Sequence, residues 1–302
     1  MSFAKVFNLG IIGCGQMGTA ILKGILEGET QSRKNSQPDW SIRDISISVS
    51  SSSSVTRLEN EFAPYGSRVA IHQSANLTTA RNSDVVILGC KPAVMHSILG
   101  EDGMREALDG KILVSILAGM DTASTQEAIT ASGDLVNTGE RAKGNVRVVR
   151  TMPNIAAREG ASMTVVAAPA QETDREAVQI ARWLFDHVGK THEIPESQFD
   201  LIGSLVGCSG ALFTVAVDGL LDQAVAGGLK RSDALGMITQ SLLGLAKLLE
   251  AGNHPSVLRE EISSPGGATI QGLIELERQG VRSAFSSALG VAGERATALG
   301  RK

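Results

Sequence analysis

Short runs rich in β-branched residues alternate with helix-like stretches through the first half of the chain. The runs are Phe7–Ile12, Ile45–Val49, Arg68–Ile71, Val85–Leu88, Ile112–Ser115, Val146–Thr151 and Met163–Ala167. Apolar runs of this length, set between helical segments, predict parallel strands covered on both faces and hence a doubly wound α/β sheet. Two polar stretches, Gly28–Asp44 and Val136–Asn145, read as surface insertions. After Ala170 the period changes. Glu172–His187 carries Ala177, Ile180, Ala181 and Leu184 on one helical face, with Thr173 or Asp174 placed to cap it and Gly189 to end it. From Phe199 onward no strand signal remains. Ser209–Gly227, Ser232–Ala251, Thr269–Gln279 and Val281–Leu299 read as helices, and the first of these is apolar nearly all round. Such a helix must be buried on every side. A helical stretch of roughly 100 residues does this most easily against a second copy of itself, so an interlocked dimer is expected, with a compact monomeric bundle as the alternative.

The length of 302 residues suits two domains, an α/β domain over 1–195 and an all-α domain over 196–302. Only 3% of residues are aromatic, so Ala, Leu, Val and Ile must fill the core. The net charge of −4, without any cluster of Lys or Arg, argues against a nucleic-acid partner. An anionic ligand then needs local devices such as helix N-termini or single arginines. Cys14, Cys90 and Cys208 lie far apart and show no metal-type spacing with the five histidines, which points to a reducing compartment. No signal-peptide form and no bilayer-length apolar run is read, so a cytoplasmic protein without a membrane partner is expected.

Gly13-Cys14-Gly15-Gln16-Met17-Gly18 follows the first strand and opens a helix over about Met17–Leu26. This G-x-G-x-x-G places the glycines where a dinucleotide needs a tight turn, a close backbone approach and a helix N-terminus facing its pyrophosphate. At the end of the second strand the chain reads Ser50-Ser51-Ser52-Ser53-Ser54-Val55-Thr56-Arg57, with no acid until Glu59. An acid there would hold a ribose 2′-hydroxyl. Serines and Arg57 suit a 2′-phosphate and so NADPH, and a flexible turn is the other reading. Asn76, Lys91 and Pro92 fall at carboxyl ends of strands, where ligands of such sheets bind. Cys14 and Cys90 lie nearby, where small buried filler is the plain reading. In the second half, Ser263-Ser264-Pro265-Gly266-Gly267-Ala268-Thr269 leads into a helix. It is either a site for a small carboxylate at the helix N-terminus or a serine/threonine cap with a glycine turn.

The chain resembles pyrroline-5-carboxylate reductases from Leu9 to Leu299, through Gly13–Gly18, Val85–Pro92, Val114–Gly119, Arg150–Asn154, Asp218–Arg231 and His254–Thr269. The resemblance implies a Rossmann-type sheet followed by an all-α dimerisation domain, forming homodimers or oligomers built from them. It implies NADPH-dependent reduction of the C=N bond of 1-pyrroline-5-carboxylate to L-proline. It adds Cys90, Ala118 and Asn154 to the cofactor residues. Ser263, Ser264, Gly266, Gly267, Ala268 and Thr269 become substrate residues, with the Thr269 hydroxyl beside the imine nitrogen as the catalytic group. Where the family carries S-G-S-G-P-A, this chain has Val206-Gly207-Cys208-Ser209-Gly210-Ala211, read as the start of the long helix. That departure leaves a related cyclic imine carboxylate as an alternative substrate, and a non-catalytic NADPH-binding protein as an alternative function. A β-hydroxyacid dehydrogenase would need a catalytic lysine on a glycine-rich helix, and the long helices offer only Lys247.

Overall fold

A computed structural model describes residues 6–32, 40–130 and 145–299; most of the Gly28–Asp44 insertion's centre and nearly all of Val136–Asn145 lie outside these. The strands are β1 (Val6–Ile12), β2 (Ser41–Val49), β3 (Val69–Gln73), β4 (Val85–Leu88), β5 (Ile112–Ser115), β6 (Arg147–Met152), β7 (Ser162–Ala167) and β8 (Gly189–Ile194). They form one sheet in the order β3-β2-β1-β4-β5-β6-β7-β8. All neighbours pair in parallel except β6 with β7, where Thr151 faces Val166 and Met152 faces Val165. The expected wholly parallel sheet is thus corrected at one pair. The order reverses direction between β1 and β4, and that is where a doubly wound sheet opens a crevice.

The core explains the unbroken apolar runs. In β4, Val85 and Ile87 enter one buried cluster with Leu9, Ile11, Ile21 and Ile25, while Val86 and Leu88 enter another with Ile12, Met95, Leu99 and Leu113. A strand that feeds both faces has no polar side, and each such side chain contributes about 1.5–3 kcal/mol on burial. The helices of this half are α1 (Gln16–Ser32), α2 (Ser52–Phe62), α3 (Asn76–Arg81), α4 (Met95–Leu99), α5 (Met104–Leu108), α6 (Thr122–Thr130) and α7 (Arg175–Asp186). α1 runs past the expected end at Leu26. Gly24 and Gly28 do not break it, because they form its close-packed stripe: a Cβ at Gly24 would lie 2.2 Å from Val188 Cγ1 and one at Gly28 2.6 Å from His187 Cδ2.

Two expectations around α7 are corrected. No side-chain cap hydrogen bond forms at Asp174; a single 3₁₀ turn, Glu172–Asp174, leads in instead. Gly189 does not end the helix but begins β8, where a Cβ would lie 1.9 Å from Ser162 O.

The helical half comprises α8 (Phe199–Ala226), α9 (Arg231–Glu250), α10 (Pro255–Ile262), α11 (Ala268–Arg278) and α12 (Val281–Leu299). The chain divides into two compact units, Met1–Gly207 with Gly293–Lys302, and Cys208–Ala292. α8 begins ten residues before the expected Ser209, because Gly203 and Gly207 are helical positions and not breaks. The consequence is a second correction: Glu196–Ala226 is, by length and composition, apolar enough to cross a membrane. Val206–Ala211 therefore lies inside α8 and not at its start, so a proline at 210 would sit where it kinks a helix, not where it pre-sets one.

The root of α8 is fixed by charge. Buried Arg150 at the end of β6 donates to Glu196 Oε1 at 3.1 Å and to Asp200 Oδ1 at 2.6 Å, and its guanidinium stacks 4.1 Å from the Phe199 ring centre. Within the second unit, apolar side chains are largely uncovered: Val215 is 71% exposed, Met237 61%, Leu220 60% and Phe213 59%.

Candidate functional site

The crevice at the reversal point is a cleft of about 590 Å³ lined by the ends of β1, β2 and β4 and the loops that follow them. Its floor is built by backbone contact. Gly13 has φ +86°, and a Cβ on it would lie 2.5 Å from Cys90 N. A Cβ on Gly89 would lie 2.7 Å from Gly13 O, so the two loops touch main chain to main chain. Gly15 differs: nothing lies within 4 Å of the place its Cβ would occupy, and it faces the cleft. Thr19 N bonds back to Gly15 O at 2.9 Å and is the first amide satisfied inside α1. The amides of Gln16, Met17 and Gly18 thus stand at the helix start without an intrahelical acceptor, beside open space.

Of the expected cofactor residues, Gly13, Gly15, Ser50, Asn76, Cys90 and Lys91 line the cleft. Asn76 is oriented by Ser48 Oγ, which donates to its Oδ1 at 2.8 Å while accepting from Ala75 N at 3.1 Å. Ser51 caps α2, its Oγ accepting from Ser54 N at 3.3 Å, so the serine run is an ordered helix start and not a loose turn. Arg57 reaches back to the glycine turn, donating through Nη2 to Cys14 O at 2.8 Å and through Nη1 to Thr19 Oγ1 at 3.0 Å. Burial pushes the thiols of Cys14 and Cys90 up to about 11, so neither is a thiolate at neutral pH.

Pro92 opens the 3₁₀ turn after Lys91, and Ala118 is exposed before Gly119. Asn154 is not brought to the cleft lining. Its Oδ1 accepts from Ala156 N at 3.1 Å and its Nδ2 donates to Val206 O at 3.3 Å. Ser54 of the serine run lines the cleft too, and so do Ser74, Val94 and Ile98, which the sequence did not single out. Ser74 left a signal only in its backbone, a left-handed φ of 49°.

In the second unit the loop before α11 has Gly266 at φ +72° and Gly267 as N-cap, with no side-chain cap hydrogen bond. Ser263 and Ser264 therefore do not cap the helix, and a Cβ on Gly267 would lie 2.4 Å from Ser264 Oγ. Thr269 is exposed in the first turn. Ser263 Oγ is buried with no hydrogen-bond partner, on the wall of a cleft of about 390 Å³ that also includes Arg259, Ile270 and Glu277.

Comparison with known proteins covers both halves. Residues 196–299 match the family model for pyrroline-5-carboxylate reductase dimerisation, and residues 8–119 match that for NADP oxidoreductase, coenzyme F420-dependent. A pyrroline-5-carboxylate reductase of Lophium arboricola is 36% identical over 97% of this chain and 93% of its own. The crystal structure of 1-pyrroline-5-carboxylate reductase from Streptococcus pyogenes superposes with TM-score 0.76 at 26% identity, covering 98% of this chain and 100% of that one. The Plasmodium falciparum pyrroline carboxylate reductase, solved with NADP bound, shares the fold with TM-score 0.76 at 24% identity, over 97% and 98%.

Proposed function

The chain belongs to the pyrroline-5-carboxylate reductase family, and from that premise we propose that it reduces 1-pyrroline-5-carboxylate to L-proline at the expense of NADPH. The observation that carries this reading is the uncapped start of α11, within the part of the chain matched by the family's dimerisation model. A dinucleotide cleft alone would serve many dehydrogenases; a free set of helix amides after Gly266-Gly267 suits a small carboxylate.

The first unit fits the cofactor. Gly13 permits the turn, Gly15 leaves room for a diphosphate, and the amides of Gln16, Met17 and Gly18 supply donors. Ser50 and Ser51, with no carboxylate at the end of β2, suit a 2′-phosphate. Arg57, though its Nη atoms hold the glycine turn and it does not line the cleft, adds positive charge beside them. When bound, NADPH supplies the hydride for the C=N carbon. The chain's own part is to bind and orient. Amides of Ala268 and Thr269, with the Ser264 hydroxyl, hold the ring carboxylate, whereas the expected Gly267 amide already donates to Ser264 O at 3.0 Å. Thr269 Oγ1 aligns the imine nitrogen, whose positive charge is lost as the amine forms. Residues 196–302 act as the dimerisation domain, so that the uncovered apolar residues of α8 and α9 are buried against a second copy. With three free thiols, the cytosol is the compartment that fits.

A related cyclic imine acid is the second reading, favoured by Val206 and Cys208 where the family carries serines. The deciding experiment follows NADPH oxidation with pyrroline-5-carboxylate and, in parallel, a six-membered piperideine-carboxylate. Turnover on the five-membered ring with proline as product is expected. Turnover on the larger ring alone would reassign the substrate, and none on either, with NADPH still bound, would remove the reductase reading.

A further inference from the structure

Arg158 stands beside the glycine turn, although neither the glycine fingerprint nor the family's motifs include it. It lies in the 3₁₀ segment Ile155–Glu159 and donates through Nη2 to Gln16 Oε1, on the first residue of α1. The segment that holds it is built firmly. Asn154 caps it through Ala156 N, Ala157 is buried in the core, and Gly160 closes it at φ +64°. Asn154 is itself tied to Val206 O and to Ser162 Oγ. The exposed guanidinium is therefore presented from a fixed backbone at the one helix start in the first unit that carries the dinucleotide fingerprint.

Its partner is the neutral amide of an exposed side chain. Among the described residues Arg158 meets no carboxylate within ion-pair distance. Arg57, the other guanidinium near this turn, differs, because both its Nη atoms are engaged in holding the turn through Cys14 O and Thr19 Oγ1. A hydrogen bond from a guanidinium to an anionic oxygen is roughly twice as strong as one to a neutral acceptor. An anion at the amides of Gln16, Met17 and Gly18 would thus compete effectively for Arg158.

We propose that Arg158 is a further dinucleotide-binding residue, which donates to the cofactor's diphosphate when that group occupies the start of α1. The inference rests on the dinucleotide reading of the cleft. It differs from the 2′-phosphate assignment of Arg57 because the diphosphate is common to NADPH and NADH.

The test measures dissociation constants of NADPH and NADH, by calorimetry at two ionic strengths, for the full-length protein and for Arg158→Gln. Arg158→Lys, which keeps the charge but loses the fork, serves as second variant, and thermal melting checks that each folds. The expected result is about tenfold weaker binding of both nucleotides in Arg158→Gln, with a smaller salt dependence, and a partial recovery in Arg158→Lys. An unchanged constant for a folded Arg158→Gln overturns the proposal. A loss confined to NADPH also overturns it, by moving Arg158 to the 2′-phosphate. If the wild-type protein binds neither nucleotide, the dinucleotide reading itself fails and the proposal falls with it.

Discussion

At the scale of single residues, Thr269 and Cys14 make the sharpest predictions. Replacing Thr269 by Ala is expected to lower turnover about a hundredfold while changing NADPH affinity less than about tenfold, because the hydroxyl is proposed to meet the imine and not the cofactor. Steady-state rates alongside direct NADPH titration check this, and unchanged turnover would remove Thr269 from the mechanism. Cys14 predicts an alkaline weakness. Burial raises its thiol from 9.0 to about 11, so the folded protein keeps the proton while the unfolded chain has begun to lose it. Stability is then intact below pH 9 and falls between pH 9 and 11, by about 2–3 kcal/mol for a shift of this size. Urea titrations across that window should show the fall, and Cys14→Ala should reduce it, leaving the part due to Cys90, whose thiol burial raises in the same way. Gly13, Gly15 and Gly18 were legible because their spacing follows a strand and opens a helix. The engagement of Asn154 with Val206 was not, since no spacing in the sequence joins positions 52 apart.

At the scale of elements, what the sequence hid can be traced to two physical causes. β8 reads Gly-Lys-Thr-His-Glu-Ile and carries no apolar strand signal because it is an edge strand, paired only with β7 and half-exposed along its length. A strand with one neighbour needs little apolar content. The early turns of α8 were hidden by glycines that in isolation weaken a helix, whereas Gly203 packs against Met152, with a Cβ there lying 3.6 Å from Met152 Cγ. Gly189 makes the element-scale prediction. A methyl group there would meet both the carbonyl and the amide of Ser162, at 1.9 and 2.5 Å, and backbone cannot step aside as a side chain can. Gly189→Ala should cost about 3 kcal/mol or more by separating β8 from β7, measured by urea unfolding. A loss below about 1 kcal/mol would show that the strand tolerates a side chain there.

At the scale of the whole molecule, the alternation of strands and helices followed by helices alone was open to reading from pattern, and so was the need for burial of an apolar helix. The partner that meets this need is outside any single chain's pattern. Val215 and Leu220 on α8 are among the most exposed apolar residues of the second unit. The double change Val215→Asp with Leu220→Asp is expected to convert a dimer to monomer or aggregate in sedimentation equilibrium. A wild-type protein that sediments as a monomer at micromolar concentration would return the compact bundle to first place.

The mutual contact of Gly13 and Gly89 bears on how this fold can change over descent. Each would place its Cβ under 3 Å from the other loop's main chain, and although Gly89 would also meet the Ile116 side chain at 3.2 Å, no shrinking substitution elsewhere can relieve the backbone contact. Both positions are therefore held by the architecture of the sheet, and a descendant that had lost its nucleotide would keep them. Gly15, with open space in front of it, is under no such obligation. In a diverged copy of this protein, a side chain at 15 with glycine still at 13 and 89 would mark a molecule that has kept its fold and abandoned its ligand.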